Sequence, residues 1–153
     1  MPSTPTSVKV IRYISIGLFV ISLACPCYDT GNADGSLGQG AFLLLSGILW
    51  FMFASPGFVW IANPLLLYSW INAGKNRDRS FTLSIISLFL ALCFLFYKDV
   101  ITDEGGANTT PIIAHAIGYW LWLASIATMV LGNFCLQMLS AGNKGGAPAS
   151  NVV

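Results

Sequence analysis

The sequence predicts an all-α integral membrane bundle of four transmembrane helices, the second long and broken at prolines. Three observations predict it. Hydrophobic residues make up 56% of the 153-residue chain and charged residues only 8%, against roughly 25% charged in soluble domains. Apolar runs occupy 13–27, 41–73, 80–97 and 112–139, and about 20 apolar residues suffice to cross a ~30 Å hydrocarbon core as a helix. The basic residues are segregated as well. If each run crosses once, Lys9, Arg12, Lys75, Arg77, Arg79 and Lys144 fall on one side and only Lys98 on the other. Positive-inside asymmetry then puts both termini in the cytoplasm and, for a bacterial chain, the bundle in the inner (cell) membrane.

The chain divides into a disordered cytoplasmic tail (1–10), a transmembrane domain (11–140) and a second disordered tail (141–153). "MPSTPTS" and "GNKGGAPASNVV" are rich in Pro, Gly and Ser and offer little apolar area to bury. Lys9, Arg12 and the short apolar core after them resemble the outline of a secretory signal. However, Ser22 stands where a lipoprotein signal carries leucine, and Pro26 follows Cys25. A retained anchor helix is therefore expected.

The second run is too long for one straight crossing: 41–73 would extend about 50 Å at 1.5 Å per residue. Within it, "ASPG" and "ANP" each place a capping residue before a proline. Ser55 and Asn63 can accept from orphan backbone amides, while Pro56 and Pro64 suit a first helical position. Three pieces follow, 41–54, 56–62 and 64–73. They form either one kinked crossing or, the reading favoured here, a half-inserted hairpin followed by a crossing. Asn63 would lie near the midplane, a depth at which broken helices line solute sites in some transporters.

In the third run Ser80, Ser84, Ser87 and Ala91 share one helical face. In the fourth, Gly118, Ser125 and Gly132 recur every seven residues. Small residues on one stripe let helices approach closely in lipid, so both stripes read as packing seams. Tyr28, Tyr97, Tyr119 and Trp120 are placed at the outer interface, and Tyr13 and Trp70 at the inner one.

"WIANPLLLYSW" (60–70) and "GYWLWLAS" (118–125) resemble patterns of small, uncharacterised bacterial inner-membrane proteins of four helices. The resemblance implies a compact helical bundle in the bacterial inner membrane. It implies no activity and no catalytic residues.

Candidate chemistry is confined to thiols and one imidazole. Cys25 and Cys27 close the first run, Cys93 lies near the outer end of the third, and His115, the one histidine, opens the fourth. Topology puts these four at similar depth, and thiolate with imidazole suits zinc or copper. Helical phase sets Cys93 opposite the serine stripe, which reduces the set to Cys25, Cys27 and His115. No resident cofactor is required. Near-neutral net charge gives no reason to expect nucleic acid as a partner, and "DTG", "TGNADG" and "GSLGQG" each lack the companions that a protease, calcium or phosphate motif needs.

With no Asp, Glu, Lys or Arg inside the runs, a proton-coupled pump is disfavoured. The expected function is that of a non-enzymatic bundle acting through contacts in the lipid bilayer, with copies of itself or with another membrane protein. Two alternatives stand beside it. One is a periplasm-facing thiol-redox or metal-binding protein built on Cys25, Cys27 and His115. The other is a small carrier for a neutral or apolar solute, with Asn63 and the third-run serines along its path.

Overall fold

A chain that meets lipid must satisfy its backbone internally, and helices do so residue by residue. The computed structural model describes residues 5–31, 39–50, 57–101 and 109–144. Five α-helices carry most of these residues: α1 (Pro5–Leu23), α2 (Gly40–Trp50), α3 (Ala62–Asn72), α4 (Arg77–Cys93) and α5 (Ile117–Lys144). Among the described residues, three stretches are long and apolar enough to cross a membrane, Thr6–Leu23, Arg77–Phe96 and Ile117–Ala141.

The helical ends differ from the sequence expectation. Residues 5–10, assigned to a tail, already belong to α1, and α5 continues to Lys144. The apolar positions Val8 and Ile11 explain the early start, because both pack against the core. Residues 1–4 and 145–153 lie outside the described residues.

The second run also differs in detail. Ser55 and Pro56 lie outside the described residues, but Pro64 does not begin a separate helix. A 3₁₀ helix, Gly57–Ile61, runs directly into α3, whose preceding residue Ile61 is already helical (φ −58°, ψ −24°) and makes no side-chain cap. A chain that arrives helical needs no extended capping residue. Asn63 is thereby released from capping, and Pro64 sits in the first turn of α3, where a missing amide costs least. Gly40 and Phe58 lie at the same end of the bundle. The Gly40 amide donates to Cys25 O at 3.1 Å, and the Phe58 ring stands 5.9 Å from that of Tyr97, just past α4. Trp60 ties the two limbs together by donating its indole N–H to Leu44 O at 2.9 Å.

The core sits where α1, α3, α4 and α5 meet, around Phe19, Leu66, Trp70, Ala73, Ala91, Ile126 and Met129. Two serine clasps cross it. Between α1 and α5, the Ser15 hydroxyl donates to Ser125 O at 2.9 Å and the Ser125 hydroxyl to Ser15 O at 2.8 Å. Between α3 and α4, Ser69 and Ser80 repeat the arrangement, each hydroxyl donating to the other's carbonyl at 2.9 Å.

Each clasp also receives an N–H from another helix. Trp70 Nε1 of α3 donates to Ser15 Oγ at 2.8 Å, and Asn133 Nδ2 of α5 donates to Ser80 Oγ at 2.9 Å. Four helices are thus joined through Ser15 and Ser80, whose hydroxyls both donate and accept, the condition under which polar groups are tolerated away from water.

Trp70 and Tyr119 therefore leave their expected interfacial places. Trp70 packs edge-on against Phe19 as well as bonding Ser15. Tyr119, 1% exposed, donates its hydroxyl to Ala91 O at 3.0 Å. Each polar tip finds an acceptor inside the bundle, so neither ring needs the headgroup layer. Tyr13 and Trp120 are exposed.

Candidate functional site

The end of the bundle opposite the termini is closed by backbone pairing that periodicity does not reveal. Strand β1 (Tyr28–Asp29) pairs antiparallel with β4 (Ala114–His115), and β2 (Asp99–Ile101) with β3 (Thr109–Pro111). The segment after α1 then crosses the start of α5: the Ala116 amide donates to Cys27 O at 2.9 Å and the Gly118 amide to Pro26 O at 2.8 Å. Only glycine allows this approach. A Cβ on residue 118 would fall 2.6 Å from Pro26 O and 2.7 Å from Cys25 O.

This pairing sets His115 directly opposite Tyr28. His115 belongs to β4, two residues before α5, rather than to the helix's opening turn. Its ring meets Phe94 edge-on at 5.5 Å and lies 5.0 Å from Tyr119. Phe94 is the hub of the cluster, with Tyr28 at 6.3 Å, Tyr119 at 5.6 Å and Tyr97 at 6.5 Å. Inside this aromatic surround, His115 Nε2 is buried with no hydrogen-bond partner among the described residues.

The cysteines are free thiols. Cys25 and Cys27 flank the strap at Pro26, Cys93 is the last residue of α4, and Cys135 is exposed on α5. Among the described residues, no three His, Cys, Asp or Glu side chains gather as a metal-ligating group. Among the described residues the expected shared depth of Cys25, Cys27, Cys93 and His115 does not become convergence: strand pairing sets His115 opposite Tyr28, and Cys27 is met through its carbonyl by the Ala116 amide. Residues 32–38 and 102–108, in the connections that follow α1 and α4, lie outside the described residues.

Burial, and secondarily the nearby Cys25, pushes the Cys27 thiol up from 9.0 to about 11. Burial and Cys27 push the Tyr28 hydroxyl up as well. Near neutral pH Cys27 is therefore the protonated, weakly nucleophilic form. Two pH units reduce the thiolate fraction about 100-fold, so Cys27 is expected to react with iodoacetamide at pH 7.5 about 100-fold more slowly than a solution thiol. A rate equal to that of a solution thiol, read by mass spectrometry of Cys27 peptides, would refute the burial argument. Because folding raises this pKa, the neutral thiol's contribution to stability is fully present below pH 9.0 and is lost as pH rises through about 11.

The other sequence candidates are seam residues. Asn63 accepts from Trp122 Nε1 at 2.9 Å, Ser87 donates to Ala62 O at 2.8 Å, and Ser84 donates within its own helix to Phe81 O at 2.8 Å. Ser80, Ser84, Ser87 and Ala91 are all fully buried. On α5, Gly118 faces the strap, Ser125 the α1 clasp, and Gly132 the Ile11 side chain. Sequence reasoning passed over Ser15, Ser69 and Asn133, although Ser15 and Ser22 stand one heptad apart on α1 and both are buried.

Fold and site together define an all-α protein with, among the described residues, three helices of membrane-crossing length and composition. Comparison with protein-family models, curated proteins and solved structures finds no match to this chain.

Proposed function

We propose that the chain is a non-enzymatic inner-membrane bundle of a bacterium that acts through contacts with membrane proteins, another copy of itself included. The observation that supports this reading is the fate of its intramembrane polar side chains. Ser15, Ser69, Ser80, Ser87, Ser125, Asn133, Trp70, Tyr119, Trp122 and Asn63 bond to one another or to neighbouring helices' carbonyls. Groups used in this way hold a fixed bundle and leave little polar surface along which a solute could pass. The raised Cys27 pKa likewise disfavours a thiol-redox role.

In this reading the chain crosses four times, with both termini cytoplasmic. The second crossing, beside α1, α4 and α5, is the unit Gly57–Asn72, antiparallel to α4 through the Ser69–Ser80 and Ser87–Ala62 bonds, and α2 with the 3₁₀ limb forms a half-inserted hairpin. Lys9, Arg12, Lys75, Arg77, Arg79 and Lys144 then gather at the cytoplasmic face.

The test is photocrosslinking in native membranes from benzoylphenylalanine placed singly at the exposed positions Leu45, Phe89 and Leu131. A discrete protein adduct at one position and lipid adducts at the others are expected. Lipid adducts alone at all three, with solute uptake by reconstituted vesicles, would replace this reading with the carrier.

A further inference from the structure

At the end of the bundle that carries the termini, a cleft of about 740 Å³ opens between α1, the α3–α4 turn and the last turns of α5. Its size falls within the range of small-molecule sites, roughly 300–1,000 Å³. Among the described residues, four basic side chains line it, Lys9 and Arg12 from α1, Lys75 from the turn and Arg77 from α4, against the single carboxylate of Asp78. Gln137 Nε2 donates to that carboxylate at 3.2 Å. Val8, Ala73 and Ala141 supply the apolar part of the lining.

The positive-inside rule accounts for basic residues at this end, but not for their convergence from three elements on one concavity. Two details make it a built feature. Arg77 is fixed in place, since its Nη1 donates to Leu136 O at 3.1 Å and to Ser140 Oγ at 2.9 Å. In addition, α4 begins here, with Asn76 as its cap accepting from the Arg79 amide at 3.1 Å, so the positive end of its dipole is directed to the same place.

We infer that this cleft binds a phosphate ester, its basic side chains meeting the phosphate oxygens while Val8, Ala73 and Ala141 accept the adjoining carbon chain. Two sources share that chemistry. One is the phosphodiester headgroup of an anionic phospholipid, reached where the spanning helices end, as basic pockets between transmembrane helices do elsewhere. The other is a soluble phosphate monoester.

The whole chain in zwitterionic detergent micelles distinguishes them, with binding followed by tryptophan fluorescence and by native mass spectrometry. The probes are short-chain phosphatidylglycerol, short-chain phosphatidylcholine, glycerol 3-phosphate and inorganic phosphate. Lys9→Gln with Lys75→Gln removes two exposed cations from the cleft and leaves Arg77's fold contacts alone. Arg79→Gln with Lys98→Gln removes the same charge from outside the lining.

Saturable binding of phosphatidylglycerol over phosphatidylcholine, weakened about ten-fold or more in the first pair and less than two-fold in the second, supports the proposal with lipid as the source. The same variant pattern with glycerol 3-phosphate supports it with a soluble source. Equal loss in both pairs, or no saturable binding of any phosphate probe, overturns it. These outcomes are independent of whether the bundle has a protein partner.

Discussion

Gly118→Leu is expected to destabilise the bundle by about 3 kcal/mol or more, and Gly118→Ala by about 1–3 kcal/mol. The cause is local and has no soft neighbour. The first side-chain atom would meet the carbonyl oxygens of Pro26 and Cys25 at 2.6 and 2.7 Å, and backbone cannot swing aside as a rotamer can. Relief requires α5 to move away from the strap, which breaks the Gly118 amide bond to Pro26 O and strains the Tyr28–His115 pairing. Gly132→Ala is a useful comparison, because the atoms nearest its new methyl belong to the Ile11 side chain rather than to backbone, so relief falls to a change of that β-branched rotamer or a small shift of α1. Unfolding in mixed micelles of increasing sodium dodecyl sulfate fraction, followed by circular dichroism, measures both. A Gly118→Leu midpoint equal to wild type would show that the strap does not lie against α5.

Ser80→Val should cost about 2–4 kcal/mol, the sum of lost interhelical hydrogen bonds and added volume at a position with 0% exposure. Ser80 donates to Ser69 O and accepts from Asn133 Nδ2, so it joins α3, α4 and α5 through one oxygen. In lipid such bonds average about 0.6 kcal/mol and reach about 1.7 kcal/mol, which makes Ser80→Ala the milder change at about 1–2 kcal/mol. Ser84 provides the control. Its hydroxyl serves only Phe81 O in its own helix, so Ser84→Ala should change stability by about 0.5 kcal/mol or less. In the double variant Ser69→Ala with Ser80→Ala, the losses should be less than additive, since the contact between the two hydroxyl oxygens at 3.1 Å is lost in either single. Additive losses would mean that the two hydroxyls act separately.

The same seam shows what spacing alone can disclose. Ser80, Ser84, Ser87 and Ala91 recur at helical intervals, and in a run dominated by Leu, Ile and Phe that pattern marks a face without naming its partner. The partner is α3 for Ser80 and Ser87, and α5 for Ser80 and Ala91. Serines 69 and 80 lie 11 residues apart across a turn, whereas Ser15 and Ser125 lie 110 apart. No local pattern encodes the second distance. Pro64 makes the converse point: a proline after asparagine reads as a helix start, yet the chain is already helical at Ile61 and the asparagine faces a tryptophan 59 residues away.

The candidate site was legible only as depth. Counting residues places Cys25, Cys27, Cys93 and His115 near one end, because depth in a helix follows from 1.5 Å of rise per residue. Direction depends on the strand pairs after α1 and before α5, which are two and three residues long and too short to show a period.

The long apolar runs were enough to specify helices, because a stretch of about 20 apolar residues has few polar side chains to serve its backbone and a helix satisfies that backbone internally. By itself the sequence determined also where the basic residues gather along the chain and which face of α4 is small. Only the tertiary structure decided that Ser15 meets Ser125, that Trp70 and Tyr119 turn inward, that His115 Nε2 is enclosed by aromatic rings, and that Lys9, Arg12, Lys75 and Arg77 line one cleft. Those pairings join residues far apart in the chain, and they are set by which small residues let two helices come close enough for a hydroxyl to reach the opposite carbonyl.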